Sequence, residues 1–71
     1  MSETAHFKVF CVERYKSVHN MKGKDTITLF KKYGVLDYLD KFYDILHTCG
    51  WQYIVQDIDL FIEARQQNIH Q

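Results

Sequence analysis

The segment Val35-Leu36-Asp37-Tyr38-Leu39-Asp40-Lys41-Phe42-Tyr43-Asp44-Ile45-Leu46-His47-Thr48 decides the fold of this chain. Its apolar residues fall in two rows at helical spacing. Leu36, Leu39, Tyr43 and Leu46 form one row, and Val35, Tyr38, Phe42 and Ile45 form the other. Only Asp37, Asp40, Lys41, Asp44 and Thr48 are left for water. A helix that is apolar over most of its circumference is packed on more than one side. Residues 35–48 are therefore expected to form the central element of a helical domain.

Working outward, Gly34 separates this helix from one over 24–33 that is expected to bury Ile27, Phe30 and Tyr33. Asp25 in its first turn and Lys31 and Lys32 in its last agree with the helix macrodipole. Upstream, Phe7, Phe10, Cys11 and Val18 are spaced for one face of a helix over 4–19, widened by Val12 and Tyr15 and completed by the aliphatic stem of Arg14. Asn20 tolerates a left-handed conformation and is the expected stop. Downstream, His47 suits the negative end of the central helix and Gly50 is placed to terminate it. Residues 52–56 alternate Tyr53 and Val55 against Ile54 and are rich in β-branched side chains. They read as a short extended stretch, with an early helical turn as the alternative. Asp57 then caps a last helix over 57–66 built on Ile58, Phe61 and Ile62. The expected fold is mainly α, a compact bundle of four helices with a short extended segment at 52–56. Residues 1–71 form one domain with frayed ends at 1–3 and 67–71.

The 71 residues hold one core at most. An apolar fraction of 46 % excludes a disordered chain. Five Tyr, five Phe and one Trp supply the bulk that a disulfide or metal provides in other small domains. The stretch Met1 to Phe7 lacks the apolar run of a signal peptide, and no run approaches the roughly 18 residues that span a bilayer. Cys11 and Cys49 form no CxxC pair. Together these features predict a cytoplasmic protein with no membrane association. The net charge is zero but lopsided: residues 1–33 carry seven basic groups against three acidic, and residues 34–71 carry two against six. The simpler reading is that the two halves face each other or solvent; the sharper one is a dipolar surface that orients a partner.

No catalytic or metal constellation stands out, and no cofactor is expected. Asp37, Asp40 and Asp44 share a helix face, as carboxylates on any solvated face do, and no glycine-rich calcium loop accompanies them. His6, Cys11, His47 and Cys49 lack zinc-site spacing. A Cys–His nucleophile pair would need an oxyanion site and a cleft for which the chain has little room. An enzyme is not expected. The helices flanking Gly34 invite a helix-turn-helix reading, but the second of them would present Asp37, Asp40 and Asp44 to phosphates. Trp51, just after Gly50, reads as a lid on the core or an interface anchor. Leu60 lies off the buried stripe and adds a hint of a contact surface.

Several ordered strings resemble a known family. They are His19-Asn20, Gly23-Lys24-Asp25, Leu29-Phe30-Lys31-Lys32-Tyr33-Gly34-Val35-Leu36-Asp37-Tyr38, Tyr43-Asp44-Ile45-Leu46-His47-Thr48 and Tyr53-Ile54-Val55-Gln56-Asp57-Ile58-Asp59. Together they are similar to the bacterial domain of unknown function 3791 family, and they cover nearly the whole chain. The resemblance implies a small stand-alone cytoplasmic protein with no established activity or ligand. Some relatives are encoded beside proteins resembling ADP-ribosyltransferase-type toxins, which fits an accessory or antitoxin-like binding role. Lys22 stands where many relatives carry Ser, which removes a good cap from the second helix.

The expected function is that of a non-catalytic protein–protein interaction module, its partner another protein or a second copy. Trp51, Leu60, Asp37, Asp40, Asp44, Lys31 and Lys32 are the candidate contact residues. The alternative is a nucleic-acid-binding regulator using Lys8, Lys16, Lys24, Lys31 and Lys32 of the basic first two helices; the neutral overall charge makes nucleic acid the lesser expectation.

Overall fold

The computed structural model describes residues 2–69. They form five helices: α1 (Glu3–Val18), α2 (Gly23–Tyr33), α3 (Val35–Lys41), α4 (Tyr43–Leu46) and α5 (Trp51–Ile69). There is no strand among the described residues. The first helix starts where the Ser2 hydroxyl accepts the Ala5 N–H at 3.2 Å. It ends at Asn20, which takes the left-handed conformation (φ 53°) and lets Met21 N–H reach back to the Lys16 carbonyl at 2.9 Å. Gly34, at φ 72°, stops α2 in the same way, and its carbonyl accepts Tyr38 N–H at 3.1 Å in the first turn of α3. Lys22 makes no side-chain cap at α2, as the missing Ser implies. Of the ends expected to fray, Glu3 opens α1 and 67–69 continue α5, while Met1, His70 and Gln71 lie outside the described residues.

The central helix is in place but shorter than expected. α3 packs against each of the other four helices, and its Val35 and Leu39 are fully buried. The expected single helix over 35–48 breaks at Phe42 (φ −109°, ψ 20°), whose carbonyl accepts both Ile45 N–H at 3.1 Å and Leu46 N–H at 2.9 Å. No glycine or proline sits at the break, so its cause is not in the local sequence. The second row is buried at Val35 but not beyond the break. Leu39 and Leu46 reach the core, whereas Phe42 and Ile45, in the other row, are exposed.

The extended segment expected at 52–56 is the first part of α5. Ile54 and Val55 are adjacent and both buried. A strand would send them to opposite faces, but a helix keeps them on one stripe that continues through Ile58 and Ile62. Burying two such side chains contributes about 1.5–3 kcal/mol each, against a helix penalty of at most ~0.7 kcal/mol per residue for β-branched positions. Asp57 is consequently not a cap; it lies within α5 and accepts the Tyr38 hydroxyl at 2.6 Å. The helix begins nearly two turns earlier, where the Gly50 carbonyl accepts Ile54 N–H at 3.1 Å.

Aromatic packing replaces the absent staple. Phe7 meets Tyr43 edge-on at 5.3 Å, Tyr15 meets Phe30 edge-on at 5.1 Å, and Tyr38 stacks on Phe61 at 4.3 Å. Cys11 is a core residue, and burial pushes its thiol pKa up to about 12. Thr26, fully buried on α2, satisfies its hydroxyl on the Lys22 carbonyl one turn back. No helix among the described residues is long and apolar enough to cross a membrane.

Candidate functional site

Two apolar rows run along α1. Phe7, Cys11 and Tyr15 at i, i+4 and i+8 enter the core. Ala5, Val9 and Val12 form the second row and line an open groove of about 380 Å³ between α1, α2 and α3. Ile27 of α2 and Leu36 of α3 complete its apolar wall. Val9 is 53 % exposed and Ile27 41 %, so the groove offers apolar surface to solvent. Ile27 was expected in the core, as were Phe10 and Val18, and all three are exposed. The reason is rotational: the core-facing side of α2 is Thr26, Phe30 and Tyr33, and Ile27 sits at its edge.

Charges beside the groove are partly committed. Lys8 Nζ pairs with Asp40 Oδ2 at 3.0 Å, and Lys16 Nζ with Glu13 Oε2 at 2.6 Å. Lys24 and Lys31 lie three residues before and four after Ile27, so they share its side of the helix. Both are exposed, and neither has an ion-pair partner among the described residues.

A second depression, of about 450 Å³, lies between the start of α1 and the α4–α5 connection, and it gathers His6, His47, Cys49, Glu3 and Tyr43 beside Phe7 and Phe10. Three of the four residues weighed for zinc are thus neighbours, and Cys11 is in the core instead. No group of three or more His, Cys, Asp or Glu among the described residues has a geometry that could hold a metal ion. His47 Nδ1 lies 2.7 Å from the Tyr43 carbonyl oxygen. A carbonyl only accepts, so that nitrogen carries the proton. The ring is held flat on Tyr43 at 4.4 Å.

The contact residues expected from sequence are not brought together into one surface. Lys31 and Lys32 are exposed on α2, and the Lys32 ammonium sits 5.3 Å from the Tyr33 ring centroid. Asp37 and Asp40 are on α3, while the break at Phe42 carries Asp44 onto α4. Trp51 is partly buried against the core, with the Arg14 guanidinium 4.9 Å from its ring centroid. Leu60 is 65 % exposed on the outer side of α5. The groove was missed as a whole, although the Ala5-Val9-Val12 row was its readable signal.

The charge-split halves do meet, at the surface. Besides Lys8–Asp40, Asp59 on α5 accepts the Tyr15 hydroxyl at 2.7 Å and His19 Nε2 at 3.0 Å, with His19 tilted over Tyr15 at 4.3 Å. Burial and then the Asp59 hydrogen bond raise the Tyr15 pKa. Burial and the Asp57 bond push Tyr38 up to about 12.

No curated protein and no solved structure matches this chain. One family model does, described as "Protein of unknown function (DUF3791)", and it covers residues 6–65, from the first turn of α1 to the last turns of α5. With most of the chain matched, this protein belongs to that family of unknown function.

Proposed function

We propose that this protein is a non-catalytic, cytoplasmic protein-interaction module whose docking face is the groove between α1, α2 and α3. The observation that carries the reading is the second apolar row of α1. Val9 and Val12, with Ile27 and Leu36, line an open groove in which Val9 and Ile27 stay exposed while Val12 and Leu36 also pack against the core. Apolar grooves of this kind, rimmed by charged side chains, are what helices and loops of partner proteins occupy. Two unpaired thiols, one of them sealed in the core, suit a reducing compartment.

A photo-crosslinking residue placed at Val9, with exposed Thr28 on α2 as the control position, tests this in the native host. A discrete covalent adduct with a polypeptide from Val9 and none from Thr28 is expected. The same smear from both positions, or no adduct from Val9, refutes the docking face.

A further inference from the structure

We propose that the groove receives the outer face of α5 from a second copy of this chain, an inference that rests on the docking role given to the groove above. The outer face of α5 presents Tyr53 and Leu60, which are 56 % and 65 % exposed. They lie seven residues apart, so on a helix they stand roughly 10.5 Å apart on nearly the same side. The groove runs along α1 from Ala5 to Val12, again seven residues and roughly 10.5 Å. Two apolar anchors therefore meet an apolar trough of matching length.

Charge points the same way. Lys24 and Lys31 flank Ile27 without ion-pair partners among the described residues, which leaves the groove side basic. Exposed Glu63 follows Leu60 by three residues, and half-buried Asp57, which also accepts the Tyr38 hydroxyl, follows Tyr53 by four, so the charges flanking the α5 stripe are acidic. Groove against groove would set the free lysines of two copies near one another, whereas groove against α5 pairs opposite charges. Within one copy the contact cannot form. α5 turns Ile54, Val55, Ile58 and Ile62 to the core, which leaves the Tyr53–Leu60 row facing away. The association is accordingly head-to-tail, with one groove and one α5 face free on each terminal copy until a ring closes.

Light scattering and sedimentation over a concentration series test it. The mass of the wild-type protein should rise above the 8.6 kDa of one chain with concentration and fall back as salt rises. Leu60→Asp and Val9→Asp should each raise the dissociation constant about tenfold or more. Both positions are exposed, so the helical circular dichroism should stay unchanged, and Ile27→Asp serves as a second groove variant if Val9→Asp unfolds. An equimolar mixture of the two variants keeps one intact groove and one intact α5 face, and should form a dimer and nothing larger. A wild-type chain that stays monomeric at millimolar concentration overturns the proposal. So does association unaffected by Leu60→Asp, or a mixture that fails to dimerise. A monomer whose Val9 crosslinks to a different polypeptide overturns the second-copy occupant alone and leaves the docking face standing; a monomer without any adduct removes both.

Discussion

Replacing Gly34 by alanine tests the one glycine among the described residues whose backbone is left-handed. Gly34 stands at φ 72°, and its conformation both ends α2 and starts α3. Space is not the obstacle: the nearest atom to an added Cβ is Arg65 Nη1 at 3.9 Å, an ordinary contact. The cost is conformational, about 1–2 kcal/mol for an L-residue in the left-handed region. The more restricted unfolded chain offsets about 0.4–1 kcal/mol of this. A net loss of about 1 kcal/mol remains, which lowers the melting temperature of a domain this size by roughly 4–8 °C. Gly23→Ala is the control, because Gly23 opens α2 without a positive φ and the nearest atom to its new Cβ is the flexible Lys16 side chain at 3.7 Å. It should stabilise by about 0.5 kcal/mol. Gly34→Asn should fall between wild type and Gly34→Ala, since Asn20 already holds φ 53° in this chain. Urea titrations read all three, with midpoints moving and slopes constant. A Gly34→Ala protein as stable as wild type, or one shifted in the same direction as Gly23→Ala, would refute a left-handed residue between the two helices.

Leu39→Ala, at a fully buried position of the helix that touches every other, should cost about 2–5 kcal/mol in the same titration; a loss below about 1 kcal/mol would mean α3 is not central. Tyr15→Phe removes the hydroxyl bonded to Asp59 and should cost about 1 kcal/mol near neutral pH. Because the folded state raises the Tyr15 pKa, the stabilisation is whole below about pH 10 and is lost above it as unfolded tyrosine ionises. The gap between wild-type and Tyr15→Phe urea midpoints should therefore stay constant up to about pH 10 and narrow above it, and a gap that stays constant above about pH 10 would count against the bond. Iodoacetamide should label only Cys49 in the native protein and both cysteines in urea, read by mass spectrometry, because Cys11 is buried with a thiol pKa of about 12. Native labelling of Cys11 at the Cys49 rate would contradict its place in the core.

The helix boundaries with a chemical stop were legible in the sequence, and those set by packing were not. Asn20, with its short amide side chain, and Gly34, with no Cβ, take left-handed conformations that their residue types permit, a property of the residue alone. The start of α5 depends instead on what lies opposite. Gln52 to Gln56 alternates like a strand, and only burial of both Ile54 and Val55 on one side makes it helical. The break at Phe42 has no glycine or proline to announce it. Its consequence is chemical as well as structural, because it divides Asp37 and Asp40 from Asp44, which a single helix would have aligned.

The groove shows a different limit. On α1 the rows Phe7-Cys11-Tyr15 and Ala5-Val9-Val12 have similar spacing, and periodicity alone ranks neither above the other. Volume ranks them once the neighbouring helices are present. The rings of Phe7 and Tyr15 reach Tyr43 and Phe30 at 5.3 Å and 5.1 Å, and Cys11 is the small residue between them that is 1 % exposed. Of the smaller second row, Val9 stays exposed and Ala5 and Val12 are only partly buried, and α2 meets that side with Gly23 and the edge residue Ile27. A sequence thus states how many apolar faces a helix has, and the sizes of the residues on each face decide which one the domain keeps for itself.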